Sequence, residues 1–146
     1  MKLKLLHGPN LSQLGSRDRA QYGTATLAEV VEAARSEAQA LGHELADAQT
    51  EYEGELVTWL HETRTDGTDA LILNAGAWTH YSYAIRDALE MLTIPKVELH
   101  LSNLAAREQF RQTSVIAPVC NGAIAGFGAD GYPLAVRAAT ALVQRQ

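Results

Sequence analysis

Apolar and polar positions follow two periods along the chain, and the switching between them divides it into strands and helices. Lys2 to His7 reads as a first strand, stopped by the breaker cluster Gly8-Pro9-Asn10, and a loop runs from there to about Thr24. Thr26-Leu27-Ala28-Glu29 has the spacing of a capping box, in which Thr and Glu satisfy each other's free amides. Leu27, Val30, Val31, Ala34, Ala38 and Leu41 then hold one helical face until Gly42. A second strand spans Glu44 to Thr50, and a helix follows from about Gly54 to Thr65. Ala70-Leu71-Ile72-Leu73-Asn74 is a short unbroken apolar run, the pattern of a strand buried on both faces of a parallel sheet.

Tyr81, Ala84, Ile85, Ala88, Leu89 and Leu92 recur at helical spacing around a helix that starts after Ser82. Pro95 to His100 reads as strand four and Gly122 to Phe127 as strand five. Tyr132, Ala135, Val136, Ala139, Leu142 and Val143 form one face of a last helix after Gly131. Five strand-helix units of this kind predict an α/β fold: an open, doubly wound, five-stranded parallel sheet of flavodoxin type, order 2-1-3-4-5, with helices on both faces. The 146 residues suffice for one domain, taken as 1–146, with its own core.

In such sheets ligands bind beyond the carboxyl ends of the strands. The unusual polar residues collect there: Asn10 after strand one, Asn74 at the end of strand three, and Glu98, His100, Ser102 and Asn103 at the end of strand four. Most are neutral hydrogen-bonding groups, accompanied by Arg17, Arg107 and Arg111. That mixture suits a small ligand with several hydroxyls and one carboxylate.

Charge and motifs remove several alternatives. The net charge is -5, and the 12 basic residues are scattered without forming the stripe that nucleic-acid binding requires. The apolar runs fall short of the roughly 20 residues that cross a bilayer, and Met1 to Asn10 turns polar before a signal-peptide core forms. A cytoplasmic protein without membrane or nucleic-acid partners is expected. Cys120, the single cysteine, permits no intrachain disulfide and reads as a buried structural thiol. No Gly-x-Gly-x-x-Gly opens the first helix, no phosphate loop occurs, and no Gly-x-Ser-x-Gly elbow presents a serine. His80, Glu98 and His100 are the residues that could meet around a metal, but no metal-ligand spacing supports one, so neither metal nor cofactor is expected.

Four blocks in order resemble the type II 3-dehydroquinate dehydratases. They are Gly8-Pro9-Asn10-Leu11 with Gly15, Arg17, Tyr22 and Gly23; Glu53-Gly54-Glu55-Leu56; Asn74 to His80 with Ser82, Arg86 and Asp87; and Glu98 to Asn103 with Arg107, Glu108, Phe110 and Arg111. The resemblance runs from about Leu5 to Leu134 and implies a lyase of the shikimate or quinate pathway. Its reaction is an anti elimination of water from 3-dehydroquinate through an enolate. It implies Tyr22 as the base in a closing lid and His100 as the acid, oriented by Glu98. Asn10 would hold a water against the enolate.

A phenol titrates near 10, so a tyrosinate base needs a cation beside it. A guanidinium about 4 Å away supplies on the order of 4 kcal/mol at an effective dielectric near 20, which makes Arg17 the expected activator. By the same resemblance Asn74, His80 and Arg111 hold ring hydroxyls, while Leu101 (through its backbone) and Ser102 hold the carboxylate. Asp87 reaches a neighbouring subunit's site in a dodecamer of trimers. His7, Ser12, Gln13, Asp18, Arg19, Glu51 and Ala105 depart from the family pattern. Two other readings are a divergent paralogue acting on a related hydroxy keto acid and a hydroxy-acid-binding module without turnover.

Overall fold

A computed structural model describes all residues, Met1–Gln146, around one parallel sheet ordered β2-β1-β3-β4-β5. The strands are β1 (Lys2–His7), β2 (Glu44–Gln49), β3 (Ala70–Asn74), β4 (Lys96–His100) and β5 (Gly122–Ala125). The helices are α1 (Arg19–Tyr22), α2 (Leu27–Ala40), α3 (Glu53–Thr63), α4 (Tyr83–Glu90) and α5 (Gly131–Gln144). The predicted strand order and the helices on both faces are both present.

Strand period two sorts the central side chains into two cores. Leu3, Leu5, Ile72, Val97 and Leu99 face α2 and α5, while Leu6, Leu71 and Leu73 face α3 and α4. Replacing one of these fully buried leucines with Ala is expected to cost about 2–5 kcal/mol, from lost transfer energy and the cavity left behind. β3 is buried throughout, as its unbroken apolar run requires. β4 is also buried throughout, yet it alternates: Val97 and Leu99 on one face, Lys96, Glu98 and His100 on the other. A buried polar column is tolerated only if its members find partners. Lys96 Nζ donates to Leu92 O at 2.7 Å, and Glu98 pairs with His100.

Local signals place the helix starts. Thr26 Oγ1 accepts from Glu29 N at 3.2 Å and Glu29 Oε2 accepts from Thr26 N at 2.8 Å, which is the predicted capping box. Ser82 Oγ caps α4 by accepting from Ile85 N.

The structure corrects several expectations. Residues 8–24 are more than a loop: a 3-10 turn spans Leu11–Gln13, and Asp18 caps the one-turn α1 by accepting from Ala20 N at 3.0 Å. β5 ends at Ala125 instead of Phe127, because Gly126 turns to φ +93° where it packs on Asn103. Tyr81 lies outside α4 and is exposed, since its backbone belongs to the turn before the cap. Leu41 is likewise largely exposed at the end of its helix. Cys120 is half-buried, with burial pushing its thiol up to about 12, so it is a poor nucleophile.

Candidate active site

The carboxyl ends of β1, β3 and β4 meet because the backbone after β1 lies directly against that after β3. Gly8 N donates to Asn74 O at 2.8 Å, and a Cβ on Gly8 would stand 2.4 Å from Ala75 O, so only glycine allows this approach. Two residues later Asn10 adopts φ +66°, the single left-handed non-glycine residue, a conformation that asparagine tolerates. Glu51 steadies it from the end of β2, accepting from Asn10 N at 2.8 Å, Ser12 Oγ at 2.6 Å and Gln49 Nε2 at 2.7 Å. These bonds, that from Ser12 foremost and helped by the charge of Arg17, hold the Glu51 carboxyl below the usual range. Ser12 and Glu51, both expected from the sequence to differ from the family pattern, bond to each other.

His7, another such residue, is fully buried and stacks on Tyr132 with ring centroids 5.7 Å apart. Burial lowers its pKa to about 4, against the contrary pull of the Ala48 carbonyl, so it is neutral at physiological pH. Tyr132 in turn accepts from Asn74 Nδ2 at 3.4 Å, while Asn74 Oδ1 accepts from Gly76 N at 3.2 Å. Asn74 is therefore fixed from two sides beneath the cleft.

Period two along β4 brings Glu98 and His100 together, with Nε2 and Oε1 2.6 Å apart and both residues almost wholly buried. A carboxylate only accepts, so Nε2 carries the proton of this bond and Nδ1 is left for a ligand. His80 stacks over His100 at 6.4 Å and directs its Nδ1 to Thr113 O at 2.8 Å. A carbonyl also only accepts, which leaves His80 Nε2 unengaged. Burial is the main cause holding His80 below the ordinary imidazole range, and the positive neighbours His100 and Arg111 add to it against the Thr113 bond. His80 thus offers Nε2 to the cleft for a hydrogen bond.

Tyr22 closes the opposite wall. Arg17 lies across its ring face, with the guanidinium carbon 3.8 Å from the ring centroid. The guanidinium that reaches the hydroxyl belongs to Arg107, whose Nη1 donates to Tyr22 at 2.8 Å and also lies 3.3 Å from Ser102 Oγ. The sequence pattern offers Arg107 only as one of three arginines near the site and assigns it no role. Its place in the block after Ser102-Asn103 was the available signal, and only folding reveals which tyrosine it meets.

Asn10, Arg17, Tyr22, Asn74, His80, His100, Leu101, Ser102 and Arg111 line one cleft, as does Arg107. The cleft measures about 520 Å³ out to its open mouth. Arg111 is drawn to one side, its Nε 2.5 Å from Glu108 Oε2. Glu98 lies behind His100 and does not line the cleft. Asp87 stands outside, exposed on α4. No three His, Cys, Asp or Glu side chains are grouped as metal ligands, and no lysine lines the cleft. The arrangement offers a phenol beside two guanidiniums, an imidazole backed by a carboxylate, and amides and a hydroxyl between them.

Comparison with known proteins agrees along the whole chain. The family model described as dehydroquinase class II matches residues 1–140. A 3-dehydroquinate dehydratase of Jannaschia sp. (strain CCS1) is 54% identical over 144 residues, 99% of this chain and 95% of that protein. A 3-dehydroquinate dehydratase of Desulfitobacterium hafniense (strain Y51) is 51% identical over 135 residues, 92% of each chain. The crystal structure of a type II dehydroquinase from Butyrivibrio crossotus DSM 2876 superposes with a TM-score of 0.93 at 40% identity, covering 96% of this chain and 97% of that one. Joined to the cleft geometry, these matches leave one assignment: the chain belongs to the class II dehydroquinase family.

Proposed function

We infer that this protein is a type II 3-dehydroquinate dehydratase, a carbon-oxygen lyase that converts 3-dehydroquinate to 3-dehydroshikimate and water in the shikimate pathway. Tyr22, as its phenolate, takes a proton from C2, and the electron pair moves into the enolate of the neighbouring ketone. The enolate then expels the C1 hydroxyl, which leaves as water after taking a proton from Nδ1 of His100; His100 acts here as the imidazolium, with its Nε2–H kept on Glu98. The C2–H and C1–O bonds break and the C1–C2 double bond forms, so no electron donor or acceptor is needed. The guanidinium of Arg107 on the hydroxyl, with that of Arg17 across the ring, stabilises negative charge on the phenol oxygen in this role. Glu98 orients His100, and Asn10 positions the water that stabilises the enolate. Asn74, His80 and Arg111 take ring hydroxyls, while Ser102 and the Leu101 backbone take the carboxylate.

The observation that carries this reading is the Tyr22 hydroxyl under the Arg107 guanidinium in the same cleft as His100, which Glu98 backs. A binding module without turnover is the poorer reading, because holding a hydroxy acid gives no reason to aim Arg107 at a phenol. The test is incubation of purified protein with 3-dehydroquinate, watching for the ultraviolet absorbance of the conjugated enoate. Its appearance, unaffected by chelator or borohydride, is expected; a flat trace at high protein concentration would overturn the assignment. Growth of a deletion strain without aromatic supplements, and separately on quinate, distinguishes biosynthetic from catabolic service. We place the protein in the cytoplasm, which a single cysteine held as a thiol suits.

We propose further that the chain assembles as a dodecamer of trimers in which Asp87 completes a neighbour's cleft. Asp87 is exposed, forms no ion pair on its own chain and sits near the exposed Tyr81 and Tyr83. Co-refolding Asp87→Asn with Tyr22→Phe is expected to restore part of the activity that each lacks alone. No restoration in co-assembled oligomers would remove Asp87 from this role.

A further inference from the structure

The Glu98 carboxylate has two oxygens, and the pairing with His100 uses only Oε1. Oε2 accepts from Ser114 Oγ at 3.0 Å. Ser114 lies sixteen positions further along the chain, outside the cleft, and belongs to none of the motifs that mark the site. Its hydroxyl has one proton to give. A carboxylate only accepts, so that proton goes to Glu98, while Ala117 N donates to the serine oxygen at 2.9 Å.

The backbone on either side of Ser114 is equally engaged. Thr113 O receives His80 Nδ1 at 2.8 Å, Val115 N donates to Thr79 O at 2.9 Å, and Val115 O accepts from Arg86 Nη1 at 3.1 Å. Two adjacent residues therefore reach both site imidazoles, Thr113 touching His80 directly through its carbonyl and Ser114 reaching His100 through Glu98, while Val115 ties the segment to Thr79 and Arg86. A carboxylate held at one oxygen only can swing about its last bond. Held at both, it presents Oε1 to Nε2 in a single orientation and leaves Nδ1 as the cleft-side nitrogen.

We propose that Ser114 is a positioning residue that locks Glu98 and, through it, the tautomer of His100, within a 113–115 clamp that sets both histidines. The proposal rests on the dehydratase reading for its kinetic consequence but not for its structural one. Second-layer hydrogen bonds of this kind are known to fix ring orientation where histidines must present one nitrogen.

The test has a kinetic and a spectroscopic arm. Ser114→Ala is expected to lower kcat on 3-dehydroquinate about 10- to 100-fold, the range for losing one hydrogen bond to a charged group, with KM within about twofold. Ser114→Thr, which keeps the hydroxyl, should recover most of the loss. In a Glu98→Gln background Ser114→Ala should add little, because the serine acts through that carboxylate. Nitrogen-15 spectra of the imidazoles in protein without substrate, recorded at a pH where the His100 ring is neutral, should show one Nε2-protonated form in the wild type and a tautomer mixture in Ser114→Ala, with His80 unchanged.

Wild-type kcat in a folded Ser114→Ala protein, full additivity with Glu98→Gln, or identical His100 signals would each overturn the proposal. If Ser114→Ala does not fold, Ser114→Thr and Ser114→Cys carry the same comparison, the thiol being a weak donor expected to behave like Ala. Equal kcat and equal spectra for Thr and Cys would overturn it. A wild-type protein inactive on 3-dehydroquinate would sink the functional reading, while the spectra would still decide the clamp.

Discussion

The two walls of the cleft are built by different means. His100 ends a central strand, is almost wholly buried, and is tied through Glu98 and Ser114 to Ala117 in bonds that all lie within residues 98–117. Tyr22 stands on a one-turn helix with exposed neighbours, and its hydroxyl is held by an arginine 85 residues away. The imidazole wall is thus organised by the sheet core, whereas the phenol wall is assembled by side chains reaching across the mouth. Damage on the first wall should disturb folding and chemistry together; damage on the second should disturb chemistry alone.

The sharpest test is Tyr22→Phe. Turnover is expected to fall by about 10³ to 10⁴-fold, the upper range for losing a general base, with ligand affinity and melting temperature nearly unchanged. A variant with normal kcat would remove Tyr22 from the chemistry, and a large loss of melting temperature would break the contrast between the walls.

Arg107→Ala comes next, with kcat lowered about 10²-fold, the size of one lost charge-assisted bond at its strong end. A kcat left at the wild-type level would show that the bond from Arg107 to the Tyr22 hydroxyl plays no part in turnover and that Arg17 suffices.

On the core side the effect should be one of stability. His7 titrates at about 4 in the folded protein and near 6.5 when unfolded, so the unfolded chain binds the proton more readily. Stability is full above pH 6.5 and is lost as pH falls toward 4, by at most about 3 kcal/mol. Denaturant midpoints measured across this interval should decline in the wild type and flatten in His7→Asn; equal slopes would assign the decline to other groups. The smallest effect is expected for Glu51→Ala, which frees the loop at Asn10 but removes only exposed bonds. Stability should change by about 1 kcal/mol or less, with kcat reduced less than 10-fold.

Much of this arrangement was legible in the residues because it depends on local periodicity. Ala70 to Asn74 is apolar throughout and becomes β3, and Lys96 to His100 alternates and places Glu98 beside His100 on one face. Thr26 and Glu29 are three apart and cap α2. The family blocks add the identity of the cleft residues, and ten of the eleven expected site positions lie in the cleft or, for Glu98, directly behind it. Asp87 is the exception, exposed on α4, where any contribution must come to another subunit's cleft.

What escaped the sequence involves distance along the chain. Arg17 and Arg107 are both arginines near the site, and nothing in their spacing says which covers the ring of Tyr22 and which bonds its hydroxyl. Ser114 carries no motif, yet its single proton is spent on Glu98. Ser12 and Glu51 are 39 positions apart and share no motif, yet the fold sets them 2.6 Å apart. The order of strands and helices and the faces they bury were determined by the sequence itself, since side-chain periodicity acts over a few residues. Which guanidinium meets the phenol, and which hydroxyl steadies the carboxylate, only the tertiary structure decided. Those contacts join residues up to 85 positions apart, and no local pattern encodes a distance that exists only after the chain has closed on itself.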